Sequence, residues 1–360
     1  MTHSGKRAAL LAAAGIFAAV SATGCSGSID TDAVVATVGG EDITLGVANF
    51  YARMMQGQYE TYYASMMGMT GETMWSQEVS DGMTYEDSVK DGAMESLQDL
   101  YLISQHASEY EVELTADEKE AIKDAARAFD EANTDEAKEA VSGYRKDVEK
   151  YLELITIQYK MDDKMREGVD EEVSDEEAAQ KAMKYVYFSY TDTDDEGNTV
   201  DLTDDEKAAL KEDAQALADR AAAGEDFASV AEEMGKTAND MTFDSETAAL
   251  DEELIKAADA LEAEGGIAGP VETDNGIYVA QLTSLLDRDA TDQKKADIVD
   301  ERRQEQYDSL LDGWRVDTEI EVDEKVWDKV DFEGVGVTII TQEEEDTGDA
   351  QEADAEDTQE

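Results

Sequence analysis

The stretch Ala263–Leu282, reading AEGGIAGPVETDNGIYVAQL, limits most strongly what this chain can fold into. It holds the only proline, Pro270, and sets Asn275-Gly276 between two runs rich in β-formers. Such a pair suits a tight hairpin turn, because both central residues need positive φ and Asn and Gly tolerate it. The second strand is expected over Ile277–Leu282. Upstream, Lys184–Tyr190 (KYVYFSY) alternates as a strand does. Between them the pattern predicts helices at Leu202–Ala223, Asp226–Gly235 and Asp251–Leu261, with a short strand at Met241–Phe243. The order β, α, α, β, α, β, β describes a small α+β unit.

The flanking sequence is of another kind. Val34–Val38, a Gly39-Gly40-Glu41-Asp42 turn and Ile43 predict a small hairpin, and helix is expected from Leu45 almost continuously to Arg166. Thr84 with Asp87 and Thr115 with Glu118 have the spacing of capping boxes, in which each end satisfies a free backbone N–H of the other. Thr134 opens a further helix that Gly143 interrupts. Ser174 is expected to cap a short helix after the acidic joint Gly168–Val173. Asp292–Trp314 predicts one more helix, with Glu319–Val322 and Val326–Val330 following. Eight methionines fall within Met54–Met94, a composition that serves either core packing or a surface that adapts to many partners.

Charge and scarce residue types exclude several functions. The 360 residues carry 90 acids against 29 bases, a net charge of −61. Such a field repels nucleic acid and anionic lipid. The chain has two histidines, His3 and His106, and one cysteine, so no internal disulfide and no His/Cys metal set can form, and no cofactor is expected. Asp192, Asp194, Glu196 and Gly197 distantly suggest a calcium loop, but Thr203 stands where the bidentate carboxylate is required. His106 is expected to be structural. Met1–Gly24 joins a basic start (Lys6, Arg7) to an apolar run too short to span a bilayer, which predicts an export signal. Ala22-Thr23-Gly24-Cys25 resembles a bacterial lipobox, making Cys25 the lipidated first residue of the mature chain. Glu343–Glu360 holds ten acids and no base and is expected to be a disordered tail.

Motifs in the α+β unit carry a family resemblance. Ala223-Gly-Glu-Asp-Phe-Ala-Ser-Val-Ala231 resembles the GxDFxxLA helix of parvulin-type peptidyl-prolyl isomerases. Ala257-Ala258-Asp259-Ala260-Leu261 resembles their AAFxL, and Gly269-Pro270-Val271 with Gly276-Ile-Tyr-Val279 their GPVxTxxGYHII end. Val35–Thr44 (VATVGGEDIT) resembles the opening of the SurA and PrsA foldases. The resemblance covers about 300 residues and departs from the family at the site. It puts Tyr185 and Tyr278 at the two usual histidine positions, Leu250 and Leu254 at the apolar proline-pocket positions with Phe243 beside them, and at best Asp240 at the acidic position.

The resemblance implies an α+β chain: a mostly helical chaperone domain, SurA-N or trigger-factor-like, with an inserted parvulin-like unit of small antiparallel sheet plus helices. Expected boundaries are a signal peptide 1–24, a linker 25–33, chaperone segments 34–173 and 291–332 around the parvulin-like unit 174–290, and a tail 333–360. It further implies an extracytoplasmic folding factor held to the outer face of a bacterial membrane through Cys25, acting on unfolded or newly secreted polypeptides. Twisting a prolyl amide breaks no bond, so a pocket that binds the twisted form suffices in principle. With both histidines replaced, a non-catalytic holdase stands as an alternative. A solute-binding lipoprotein is a second, disfavoured because that class needs parallel α/β lobes.

Overall fold

The computed structural model describes residues 16–18, 29–63, 66, 71–80, 82–194, 196–334 and 336–340. Cys25, the lipobox and the acidic stretch Glu343–Glu360 lie outside these residues, whereas the start of the expected tail 333–360 is folded, with Val337 buried and a strand at Thr338–Ile340. Two compact units form: one from the described residues up to 167 together with those from 305 onward, the other from 168–304.

The second unit is built on a four-stranded antiparallel sheet. Its elements in chain order are β1 (Lys181–Ser189), α1 (Asp204–Ala222), α2 (Phe227–Glu233), β2 (Asn239–Phe243), α3 (Glu252–Asp259), β3 (Ile267–Glu272) and β4 (Gly276–Ser284). The spatial order is β3-β4-β1-β2. Because strand side chains alternate, the central strands β1 and β4 feed two cores. Val186, Phe188, Ile277 and Val279 pack under Ala214, Leu217 and Ala221 of α1 and Phe227 and Val230 of α2. Met183, Phe243, Ala280 and Leu282 pack on the other face, under Leu254, Ile255 and Ala258 of α3. A buried side chain of this size contributes about 1.5–3 kcal/mol, so both faces hold the sheet in register.

Sequence punctuation explains the element ends. Thr203 caps α1 in a capping box with Glu206, and the Asp226 and Asp251 side chains accept from Ser229 N and Glu253 N to start α2 and α3. Ser174 behaves differently from expectation. Its hydroxyl accepts from Glu177 N, yet residues 175–177 make only one turn, since β1 begins at Lys181 and leaves no length for a helix. The supposed calcium loop is a hairpin, Thr191–Thr193 against Thr199–Asp201. Asp194 Oδ1 accepts from Glu196 N and Asn198 N at 2.9 and 2.8 Å, which commits the carboxylate to the turn and holds its pKa below the usual range.

The first unit carries the helices the sequence predicts: Leu45–Gln58, Tyr85–His106, Ala116–Ala132, Asp135–Val141 and Arg145–Met165. Both capping boxes are present, and the chain breaks at Ser142, which takes left-handed φ 52 ahead of Gly143. The Val34–Val38 and Glu41–Thr44 hairpin gains a third strand from the far end of the chain, Ile320–Val322. Val326–Val330 begins inside a short helix, Glu324–Trp327, started by Asp323. Of the methionine-rich stretch, Met54, Met74 and Met94 are buried, whereas Met66 is 82% exposed and Met83 38%. The segment thus divides between core and surface.

A buried arginine ties the last part of this unit down. Arg53 gives its Nε to Asn49 Oδ1 at 3.2 Å, one terminal nitrogen to Gln56 Oε1 at 2.6 Å and the other to the Asp331 carbonyl at 3.0 Å. Burial lowers its pKa to about 10, against the attraction of Glu86, Asp331 and Glu60. Glu86 accepts from Phe332 N and Glu60 from Val337 N, each at 2.7 Å. Asp147 is the costly member of the unit. It is 2% exposed, packs where a Cβ on Gly46 would come within 2.5 Å, and its Oδ2 has no hydrogen-bond partner among the described residues.

Burial pushes the Asp147 carboxyl up to about 6; Lys146 opposes this and Asp32 adds to it. The native state therefore holds a proton that the unfolded chain, with a carboxyl near its ordinary value, gives up earlier. Stability from this group is greatest below the unfolded value and is lost as pH rises through about 6. Asp147→Asn should raise stability at pH 7.5 by about 1–3 kcal/mol and have little effect at pH 4, measured by urea denaturation across that range. Equal effects at both pH values would refute the assignment.

Candidate functional site: a tyrosine face on the antiparallel sheet

Register brings three tyrosines together. Tyr185 and Tyr187 are two residues apart on β1 and so share a face. Tyr278 of β4 pairs directly with Tyr187, and Ala280 with Tyr185. The Tyr187 and Tyr278 rings stack at 4.5 Å and 30°, and Tyr185 lies tilted to Tyr278 at 6.2 Å and 51°. Tyr187 donates its hydroxyl to the Asn275 carbonyl at 2.6 Å, which fixes the outer ring of the row. All three are half-buried. Small residues make room for them. Gly276 and Ala280 flank Tyr278 on its own face, and a Cβ on Gly276 would sit 2.6 Å from the Tyr187 ring and 2.4 Å from the Phe188 carbonyl.

The single proline stands beside this row. Ala268 pairs with Ala280 and Val271 with Tyr278, so Gly269 and Pro270 bulge out together opposite Val279. β3 is an edge strand, where a residue without an N–H costs no ladder bond. Gly269 has φ 105, and a Cβ there would meet the Tyr278 carbonyl at 2.6 Å. Val271, Leu250 and Met241 are half-buried around the same apolar cluster. Asp251 caps the start of α3. Burial foremost, then Tyr187, Asp251 and Tyr185, push the Tyr278 phenol above its ordinary value.

The residues the sequence singled out separate into groups. Tyr185 and Tyr278 are neighbours on one face of the sheet. Asp240 does not join them: it pairs in register with Lys184 and bonds Lys184 Nζ at 2.6 Å, on the face opposite the tyrosines. Asn239, one residue earlier, is the β2 residue opposite Tyr185. Phe243 and Leu254 have 0% exposure and belong to the core beneath α3, so of the three apolar positions only Leu250 reaches the surface. His106 stacks on Trp314 at 4.3 Å and bonds Glu109, a packing role in the first unit. No group of three or more His, Cys, Asp or Glu suited to a metal occurs among the described residues. Tyr187 is the residue that sequence reading missed. Its signal was present in the alternation of KYVYFSY, which puts residues 185 and 187 on one face once the hairpin register is known.

The family model of the PPIC-type PPIase domain matches residues 190–302. The second unit carries a PPIC-type, parvulin-like domain. The matched span takes in Tyr278 and the Gly269-Pro270 bulge, and begins just after β1 with its two tyrosines. Among solved structures, the foldase protein PrsA of Streptococcus pneumoniae is similar at 16% identity, covering 69% of this chain and 96% of that one, with a TM-score of 0.29. PrsA of Bacillus subtilis is similar at 15% identity, covering 71% and 98%, with a TM-score of 0.23. PrsA of Bacillus cereus, a peptidylprolyl isomerase, is similar at 13% identity, covering 71% and 96%, with a TM-score of 0.29. No curated protein matches the chain.

The Gly276 contact gives a direct test. Gly276→Ala should drive the Tyr187 ring off its seat and destabilise the unit by about 1–3 kcal/mol, as overpacking does. Chemical denaturation followed by near-ultraviolet circular dichroism reads both effects. A variant with unchanged midpoint and unchanged tyrosine signal would contradict the packing described.

Proposed function

We propose that this chain is an extracytoplasmic protein-folding factor that holds unfolded or newly secreted polypeptides, with its parvulin-like unit serving as a binding module. The observation that carries this reading is a PPIC-type domain whose sheet face presents three half-buried tyrosines and no histidine. Extended chain can lie on such a face through aromatic and apolar contact. The helical unit around it, discontinuous in sequence, suits a domain into which the parvulin-like unit is inserted. Cys25 would tether the mature chain outside the membrane. No helix among the described residues is long and apolar enough to cross one.

Catalysis is the weaker half of this reading. Isomerisation requires lowering a barrier of about 18–20 kcal/mol by holding the twisted amide better than the planar one. That needs a concave apolar seat for the prolyl ring. Here Phe243 and Leu254 are filled into the core, which leaves Leu250 and the tyrosine rims. Asp240 is committed to Lys184 on the far face. These features favour holding over twisting.

A protease-coupled or NMR exchange assay on Xaa-Pro peptides is expected to show acceleration of less than about tenfold, equivalent to 1.4 kcal/mol, and no change on Tyr278→Ala. A large acceleration abolished by that substitution would restore the enzymatic reading. Cys25→Ser should move the exported protein from the membrane fraction to the soluble one. Retention in the membrane would refute the lipid tether.

A further inference from the structure

The geometry points to the tyrosine face of the parvulin-like sheet as a site that selects cationic side chains, lysine or arginine, within an extended polypeptide. This rests on the reading that the face binds polypeptide, and adds which polypeptide.

The two faces of the sheet treat their aromatic rings differently. On the side packed under α1 and α2, Lys236 Nζ lies 5.3 Å from the centre of the Phe188 ring and Lys207 Nζ 5.2 Å from that of Tyr190. The chain supplies its own cations there. On the other side, Tyr185, Tyr187 and Tyr278 make ring contacts only with one another, and among the described residues no lysine or arginine lies over any of the three. The lysine nearest in sequence, Lys184, points to the opposite face and is held by Asp240. Three electron-rich rings are thus presented half-exposed without a counter-cation.

Charge on the rim has the matching sign. Asp251 sits at the start of α3, close enough to Tyr278 to disfavour a second negative charge on its phenol. Glu252 and Glu253 follow it in the first turn of α3. A ring quadrupole attracts an ammonium or guanidinium over its face, and a neighbouring carboxylate adds to that attraction. The same carboxylate repels an acidic or phosphorylated residue. The wider chain, at −61, brings basic segments in from a distance, while the tyrosines and Asp251 supply the short-range contact.

The test compares peptides on the full mature chain. Three fluorescein-labelled, unstructured ten-residue peptides differ only at one central position: lysine, acetyl-lysine or glutamate. Anisotropy titrations are run at 0.15 M and 0.5 M NaCl, since higher salt screens the distant field more than a contact. The lysine peptide is expected to bind about three- to tenfold tighter than the acetyl-lysine peptide, with the difference persisting at high salt. Tyr185→Phe should keep the preference and Tyr185→Leu should remove it. Asp251→Asn, which retains a capping side chain, should reduce it without unfolding α3.

Each other outcome is decisive. If all three peptides bind equally and Tyr278→Leu weakens all of them, the selectivity is overturned and the polypeptide-binding role stands. If the lysine preference survives both Tyr185→Leu and Asp251→Asn, it belongs to the general acidic surface and the proposal falls. If no peptide binds, the binding role and the selectivity fall together. Circular dichroism checks that Tyr185→Leu is folded, and the Asp251→Asn arm decides the matter if it is not.

Discussion

The pairing of β1 with β4 is the constraint on which the parvulin-like unit depends. It runs from Gly276 opposite Ser189 to Leu282 opposite Met183 without a break. A slip of one residue would exchange the two faces of β4, sending Tyr278 under α1 and Ile277 into the tyrosine row. The turn at Asn275 and Gly276 prevents this, since Thr273 N bonds the Gly276 carbonyl and Tyr190 N bonds the Asn275 carbonyl. The same turn receives the Tyr187 hydroxyl. One short hairpin thus sets the register, positions the ring row and seats its outermost member.

The first unit solves a different problem, that of joining two distant parts of the chain. Its answer is polar and buried. Arg53, Gln56, Glu60 and Glu86 reach across to the backbone of residues 331–337, with apolar packing of Phe332 against Trp75 at 4.9 Å. A buried charge is tolerated only when its donors are matched, and here they are shared among side-chain and backbone oxygens. Asp147, Asp99 and Glu86 are carboxyls that burial pushes upward in this unit, and each is a local cost at neutral pH.

Much of the architecture was legible in the sequence because its signals are local. Capping pairs such as Thr84 with Asp87 and Thr115 with Glu118 act over three residues, and both form as spaced. The Asn275-Gly276 signal marks the place of the turn but not its form: the loop is Thr273–Gly276, Gly276 already belongs to β4, and neither Asn275 nor Gly276 takes positive φ. The site was less legible, because faces depend on long-range register. Asp240 and Phe243 both lie on β2 near the right position in the chain, yet pairing with Lys184 turns the first away and packing under α3 buries the second. Tyr187 went unnoticed for the same reason. Ser174 carried a capping signal with no helix behind it, since the distance to β1 at Lys181 decides the outcome.

The pairing of Val34–Val38 with Ile320–Val322 has a consequence for how such a chain takes shape as it is made. A polypeptide that emerges from its N-terminal end must wait for residue 320 before this sheet gains its third strand, and for residues 331–337 before Arg53, Glu86 and Glu60 meet their partners. Residues 168–304 need nothing beyond their own span for their four strands to pair. The later-emerging unit can therefore close on its own residues, while the earlier-emerging segment lacks its third strand and the backbone partners of Arg53, Glu86 and Glu60 until the far end of the chain follows.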